Sequence, residues 1–210
     1  MQKGRVVSLK SFGVVEFLRN NSFLLIILCF LSLGIILGIF IFDDFEILKS
    51  YPTEYITDYI ASREDTAFGK ILLVSMLDSL SILFLLFLLG ASLFGVITVP
   101  CAVMIKGFFQ GGITAFLYSQ YGLKGIAFNA IIYIPSTIIF IIVMLIASRE
   151  SIRFSLKISS LTLNKTLPFN LANDFKDYSI KYVIFSVATF VSAFIDALVS
   201  VGFIKSFSLI

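Results

Sequence analysis

Residues 23 to 42 form an uncharged run of twenty, from Phe23 to Phe42, and no other feature limits the fold as strongly. At about 1.5 Å per residue a helix of that length crosses a hydrocarbon core of about 30 Å. The run is too long for a signal-peptide core and no small-x-small cleavage pattern follows it, so it reads as a retained first span. Composition agrees. The chain has 210 residues, 59% hydrophobic and 14% charged, with a mean hydropathy of +1.03. A soluble domain needs more polar surface than that.

Further apolar runs predict an all-α, polytopic integral membrane bundle of five transmembrane helices, over about 23–42, 79–99, 101–119, 126–147 and 182–204. The second span is expected to begin near Ser79, because Asp78 is a poor residue for lipid, and to be punctuated by Pro100. Pro135 falls inside the fourth. The length suits one membrane domain, 1–210, and no internal repeat or low-complexity tract stands out.

Orientation follows from Lys and Arg. Residues 1–21 carry Lys3, Arg5, Lys10 and Arg19 against Glu16, and residues 148–181 carry Arg149, Arg153, Lys157, Lys165, Lys176 and Lys181. Residues 43–78 form an outer loop in which the stretch 43–70 has three basic and seven acidic residues. Five spans with the N-terminus inside and the C-terminus outside place both basic segments in the cytoplasm.

Two non-spanning segments have helical periodicity. In the outer loop Tyr51, Tyr55 and Tyr59 recur every four residues after a helix-starting Pro52, with Ile56 and Ile60 beside them. This predicts a short amphipathic helix at the outer interface, as an aromatic anchor or a docking face. In the cytoplasmic segment Arg149, Arg153 and Lys157 share the same spacing, with Ile152, Leu156 and Leu163 on another side. That pattern predicts a basic interfacial helix, held by anionic membrane lipid or by a soluble partner. Tyr178 and Tyr182 are expected to anchor the entry to the last span.

Small residues come at helix-packing intervals. Gly34 with Gly38, and Gly107 with Gly111, are GxxxG pairs, and Ala91 with Gly95 is a related pair. In lipid such spacing lets two backbones approach closely, within one chain or across a homo-oligomer seam. Three charges lie in or near the spans: Asp78, Lys106 and Asp196. With the third span starting after Pro100, Lys106 is about 9 Å deep, near enough to snorkel; a polar site inside the bundle, shared with Gln110, is the other reading. Asp196 is about 21 Å past Tyr182 and too short to snorkel. It should face the bundle, with Ser192 or Ser200 as neighbours, or be protonated; the depth difference disfavours a Lys106–Asp196 pair.

The chain has no histidine, which removes the commonest metal ligand and general base. Cys29 and Cys101 lie in apolar runs without CxxC spacing, and no HExxH, GxSxG or phosphate-binding loop occurs. No catalytic, cofactor-binding or metal site is expected, and the net charge of +3 without a basic aromatic block argues against nucleic acid.

The stretch from Leu88 to Pro135 resembles the core of the stage II sporulation protein M family. The likeness rests on Gly90 and Gly95, on Lys106-Gly107 with Gly111, on Tyr121-Gly122-Leu123-Lys124-Gly125, and on Pro135. The first span and the closing SAFIDALVS, with Asp196 where the family usually has glutamate, are also similar. Ser136-Thr137 and Ser200-Val201 replace the family's Gln-Asn and Thr-Pro, which suggests a non-sporulation paralogue. The resemblance implies a multi-pass protein of the bacterial cytoplasmic membrane without enzymatic activity. Some members resemble scaffolds for cell-wall-remodelling partners during engulfment. Others accompany ABC-type ATPases or further membrane subunits in transport, maturation or export, circular bacteriocins included. In that setting Arg149, Arg153 and Lys157 would dock the ATPase.

Overall fold

The computed structural model describes residues 22–44, 46–63, 66–163 and 171–203, and among them every regular element is a helix. The basic N-terminal residues 1–21 and Lys165, on which part of the orientation argument rests, lie outside the described residues. Six helices follow in order: α1 (Ser22–Asp44), α2 (Glu46–Ala61), α3 (Phe68–Gly90), α4 (Gly95–Phe128), α5 (Ile134–Leu163) and α6 (Leu171–Phe203). A π-helical turn, Asn129–Tyr133, leads into α5.

Four apolar stretches are long enough to cross a membrane, and one of them, Gly95–Leu161, contains both α4 and α5. Gly122 breaks it, with φ of 52° and ψ of −128°, a conformation natural only to glycine. Beyond the break the chain returns antiparallel. Asn129 donates to the Tyr118 hydroxyl at 3.2 Å, and farther along Tyr133 donates to Gln110 Oε1 at 3.2 Å. The stretch therefore folds into two crossings, and the described residues make five. Pro135 has its physical consequence here. Its ring would crowd the carbonyl four residues back, and the wider π turn lies where that conflict falls.

The second span differs from its expected limits. The helix break falls at Ala91–Phe94 rather than at Pro100, so α3 starts at Phe68 and contains Asp78, while α4 starts at Gly95 and contains Pro100. Asp78 comes ten residues after Phe68 and Lys106 eleven after Gly95, so both lie about 15–17 Å along their helices. Because α3 and α4 run in opposite directions, the two charges reach the middle of the bundle at similar depth. Lys106 is thus too deep to snorkel.

The closest packing is between α1 and α4. A Cβ on Gly34 or Gly38 would overlap the Met104 or Phe108 carbonyl oxygen, and one on Gly107 would lie 2.6 Å from the Leu31 carbonyl oxygen. Gly111 meets Ile35 in the same way. Contacts climb both sequences together, so the two helices are parallel. Both GxxxG pairs are used within the chain, backbone against backbone.

At the end of the bundle holding the α3–α4 break, α5 and α6 carry hydroxyls and aromatics inward. Ser151 donates to the Leu86 carbonyl at 3.1 Å, Ser155 to Ser92 at 2.8 Å and Ser159 to Leu93 at 3.1 Å. One serine stripe thus serves a carbonyl in the last turns of α3 and two in the turn that follows it. Tyr178 and Tyr182 are buried rather than interfacial. Tyr178 stacks on Phe154 at 4.3 Å and on Phe87 at 5.0 Å, and donates to the Phe87 carbonyl at 3.0 Å. The segment 148–163 is no separate surface helix. It continues α5 without interruption, with Ile152 and Phe154 buried and Arg153 and Lys157 exposed.

Candidate functional site: a polar cavity closed by a buried ion pair

The outer-loop helix α2 turns its apolar side into the bundle. Ile56, Tyr59 and Ile60 are buried against Ile113, Leu117, Phe128 and Ile132. Tyr59 meets Tyr133 and Phe128 edge-on, with ring centroids at 5.8 and 6.3 Å. It is therefore a core residue, not a surface anchor. This placement carries the turn after α2, and with it Arg63, to the inside.

Arg63 and Asp196 are both 6% exposed and form an ion pair, Nη2 to Oδ2, of 2.7 Å. The Asp196 carboxylate has its full complement of donors. Oδ2 accepts from Arg63 and Ser75, and Oδ1 accepts from the Tyr59 hydroxyl at 2.6 Å and from Ser136 at 3.4 Å. Arg63 also donates to the Tyr59 carbonyl at 3.2 Å and lies 3.5 Å above the Tyr59 ring. Ser192 is not a partner of Asp196, since its hydroxyl goes to the Ser136 carbonyl at 2.7 Å. An isolated charge at mid-bilayer costs about 2.5–3.5 kcal/mol on insertion scales. The Arg63 cation and three hydroxyl donors offset that cost at Asp196.

Beside this pair lies a cavity of about 80 Å³, lined by Arg63, Asp78, Lys106, Gln110, Thr137 and Asp196 among others. That is room for several waters, since one needs about 10–15 Å³ on the same measure. Of the expected intramembrane polar residues, Lys106, Gln110 and Asp196 therefore share one cavity. Gly107 and Gly111 lie on the same helix but face α1, with Gly34 and Gly38. Ser75 carries no mark of this role in the sequence pattern, and Tyr59 reads there as an interfacial anchor. A signal for Arg63 existed: it follows Tyr59 by four residues and so shares the apolar face of α2.

The exposed basic residues lie elsewhere, at the far end of α5. Arg153 pairs with Glu150 at 3.3 Å, Lys181 pairs with Glu150 at 2.5 Å, and Lys157 pairs with Asp174. Arg149 is half-buried beside them, its Nε without a hydrogen-bond partner among the described residues. Arg153, Lys157, Asp174, Asp177 and Lys181 line a groove of about 400 Å³ between α5 and α6. Among the described residues, no group of Cys, Asp and Glu is placed to hold a metal ion, and Cys29 and Cys101 are free.

The family model described as "Stage II sporulation protein M" matches residues 23–201. That covers most of the chain, from the first span to the turn beyond Asp196, so the chain belongs to this family. No curated protein and no solved structure matches it.

Proposed function

We propose that this family member is a non-enzymatic, multi-pass subunit of a bacterial cytoplasmic-membrane assembly that transports a peptide or matures it for export. A separate ABC-type ATPase supplies the energy, and circular bacteriocins are one class of cargo such an assembly handles. The observation that carries this reading is the helix pair α5–α6. At its charged end the pair holds a groove of about 400 Å³. Arg153, Lys157 and Lys181 keep 43%, 53% and 50% of their side chains exposed there. Acidic and basic groups alternate around the groove, which suits a charged protein surface better than anionic lipid alone. The basic excess of this segment favours a cytoplasmic location, where an ATPase would meet it. The sequence contains no phosphate-binding loop, so ATP hydrolysis would belong to the partner.

A second reading, a scaffold recruiting cell-wall-remodelling proteins at the outer end, draws on Thr53, Glu54, Thr57 and Asp58, which stay exposed on α2. Much of α2 is already committed to internal packing, so this surface is small.

Co-purification decides between them. The tagged full-length chain, solubilised from its native membrane, should recover an ATPase, and Arg153→Glu with Lys157→Glu should lose it while the chain still accumulates. Recovery of no ATPase, with the charge-reversed variant fully active, would sink the docking reading.

A further inference from the structure

The cavity at mid-bundle is lined by two donor groups, the Lys106 ammonium and the Gln110 amide, that make no hydrogen bond among the described residues. Asp196 is already occupied at both oxygens by four donors. Gln110 Oε1 is taken by Tyr133, and the Gln110 amide N–H₂ makes no hydrogen bond among the described residues. Arg63 Nε is buried without a partner, in a residue only 6% exposed. Lys106 makes no hydrogen bond or ion pair within the described residues; the Asp78 carboxylate acts on it only as a neighbouring charge. Arg63, Lys106 and Gln110 all line the same cavity. A buried donor left without an acceptor is costly, and lipid provides none. An occupant that accepts hydrogen bonds would satisfy Lys106 and Gln110, in a cavity that Asp78 also lines.

We propose that this cavity is a binding site for a small monovalent anion, held by Lys106 and Gln110 with Arg63 behind them. Asp78 is the resident counter-charge with which the anion competes. The size of the cavity, about 80 Å³, suits a halide or a carboxylate group with a few waters rather than a bulky organic anion. Asp196 is not part of the binding chemistry. It fixes the Arg63 guanidinium beside the cavity. The inference stands apart from the docking reading and depends on none of its residues.

The test uses the purified full-length chain in detergent, with thermal unfolding followed at constant ionic strength. Sodium chloride or sodium acetate replaces sodium sulfate stepwise. A saturable rise in Tm of a few degrees is expected with at least one of them. A response to acetate alone assigns the site to carboxylate groups, and a response to both assigns it to small anions generally. Lys106→Met should abolish saturation, and Lys106→Gln serves if the methionine variant fails to fold. Asp78→Asn should lower the half-saturating concentration about threefold or more, because the competing carboxylate is gone. No saturable response to either salt, an unchanged response in both Lys106 variants, or weaker binding in Asp78→Asn would overturn the proposal. The last result would mean a cation site.

Discussion

Arg63, in the turn that follows α2, and Asp196, near the end of α6, are 133 residues apart in sequence and 2.7 Å apart in space. Around them Tyr59, Ser75 and Ser136 bring in α2, α3 and the start of α5. Four elements therefore converge on one carboxylate. A helix that the sequence placed over the bundle is pinned into it by charge as well as by apolar contact.

Breaking the pair from one side should be far worse than removing both charges. Asp196→Ala leaves Arg63 buried beside orphaned hydroxyls, and a loss of about 3–5 kcal/mol is expected. Arg63→Met alone should cost a similar amount. Arg63→Met with Asp196→Leu should recover much of that loss, because well-packed apolar side chains often replace a buried pair without penalty. Chemical unfolding in mixed micelles, arranged as a double-mutant cycle, measures the coupling. Additive single losses would show that the pair is not a unit.

How far the sequence reveals this arrangement depends on the signal each residue leaves. Span number and class were legible, because uncharged runs of this length have few other outcomes. The α3–α4 break was not: Ala91–Phe94 is apolar like its flanks, and Pro100, the visible punctuation, is tolerated a turn and a half inside α4. That shift also moved Lys106 from an expected 9 Å to mid-depth. Asp196 did announce a need for partners, which periodicity alone could not supply. Arg63 sits in a polar stretch of mixed charge that reads as solvated loop, and only the path of α2 turns it inward.

The glycines of the α1–α4 seam should respond differently from glycines elsewhere. Gly38→Ala and Gly111→Ala put a Cβ against a carbonyl oxygen of the facing helix, so the helices must separate. A loss of about 1–3 kcal/mol each is expected from overpacking. A Cβ on Gly69 or Gly202 would meet nothing within 4 Å, and both residues are helical. Gly69→Ala and Gly202→Ala should be neutral or stabilising by up to about 1 kcal/mol, through helix propensity. Thermal unfolding of the four variants side by side checks the contrast.

The serine stripe on α5 gives a graded prediction. Ser151 is fully buried and serves the Leu86 carbonyl and the Tyr178 and Tyr182 hydroxyls. Ser151→Ala should cost about 1–3 kcal/mol, since those groups lose a partner away from water. Ser159, at the open end of the stripe, makes one exposed bond to Leu93. Ser159→Ala should change stability by less than about 0.5 kcal/mol. Equal losses at the two positions would contradict the burial gradient.

Orientation can be tested at two exposed positions on opposite ends of the bundle. Leu123, just past the Gly122 break, is 85% exposed, and Arg153 lies in the charged part of α5 with 43% of its side chain exposed. By the positive-inside rule, the excess of Lys and Arg in residues 148–181 predicts a cytoplasmic location for that end of α5 and an outer one for the Gly122 turn. In a background with Cys29 and Cys101 replaced by serine or alanine, Leu123→Cys should react with a membrane-impermeant thiol reagent in intact cells. Arg153→Cys should react only after permeabilisation. The reverse pattern would invert the protein in the membrane and move the groove between α5 and α6 out of reach of any cytoplasmic ATPase.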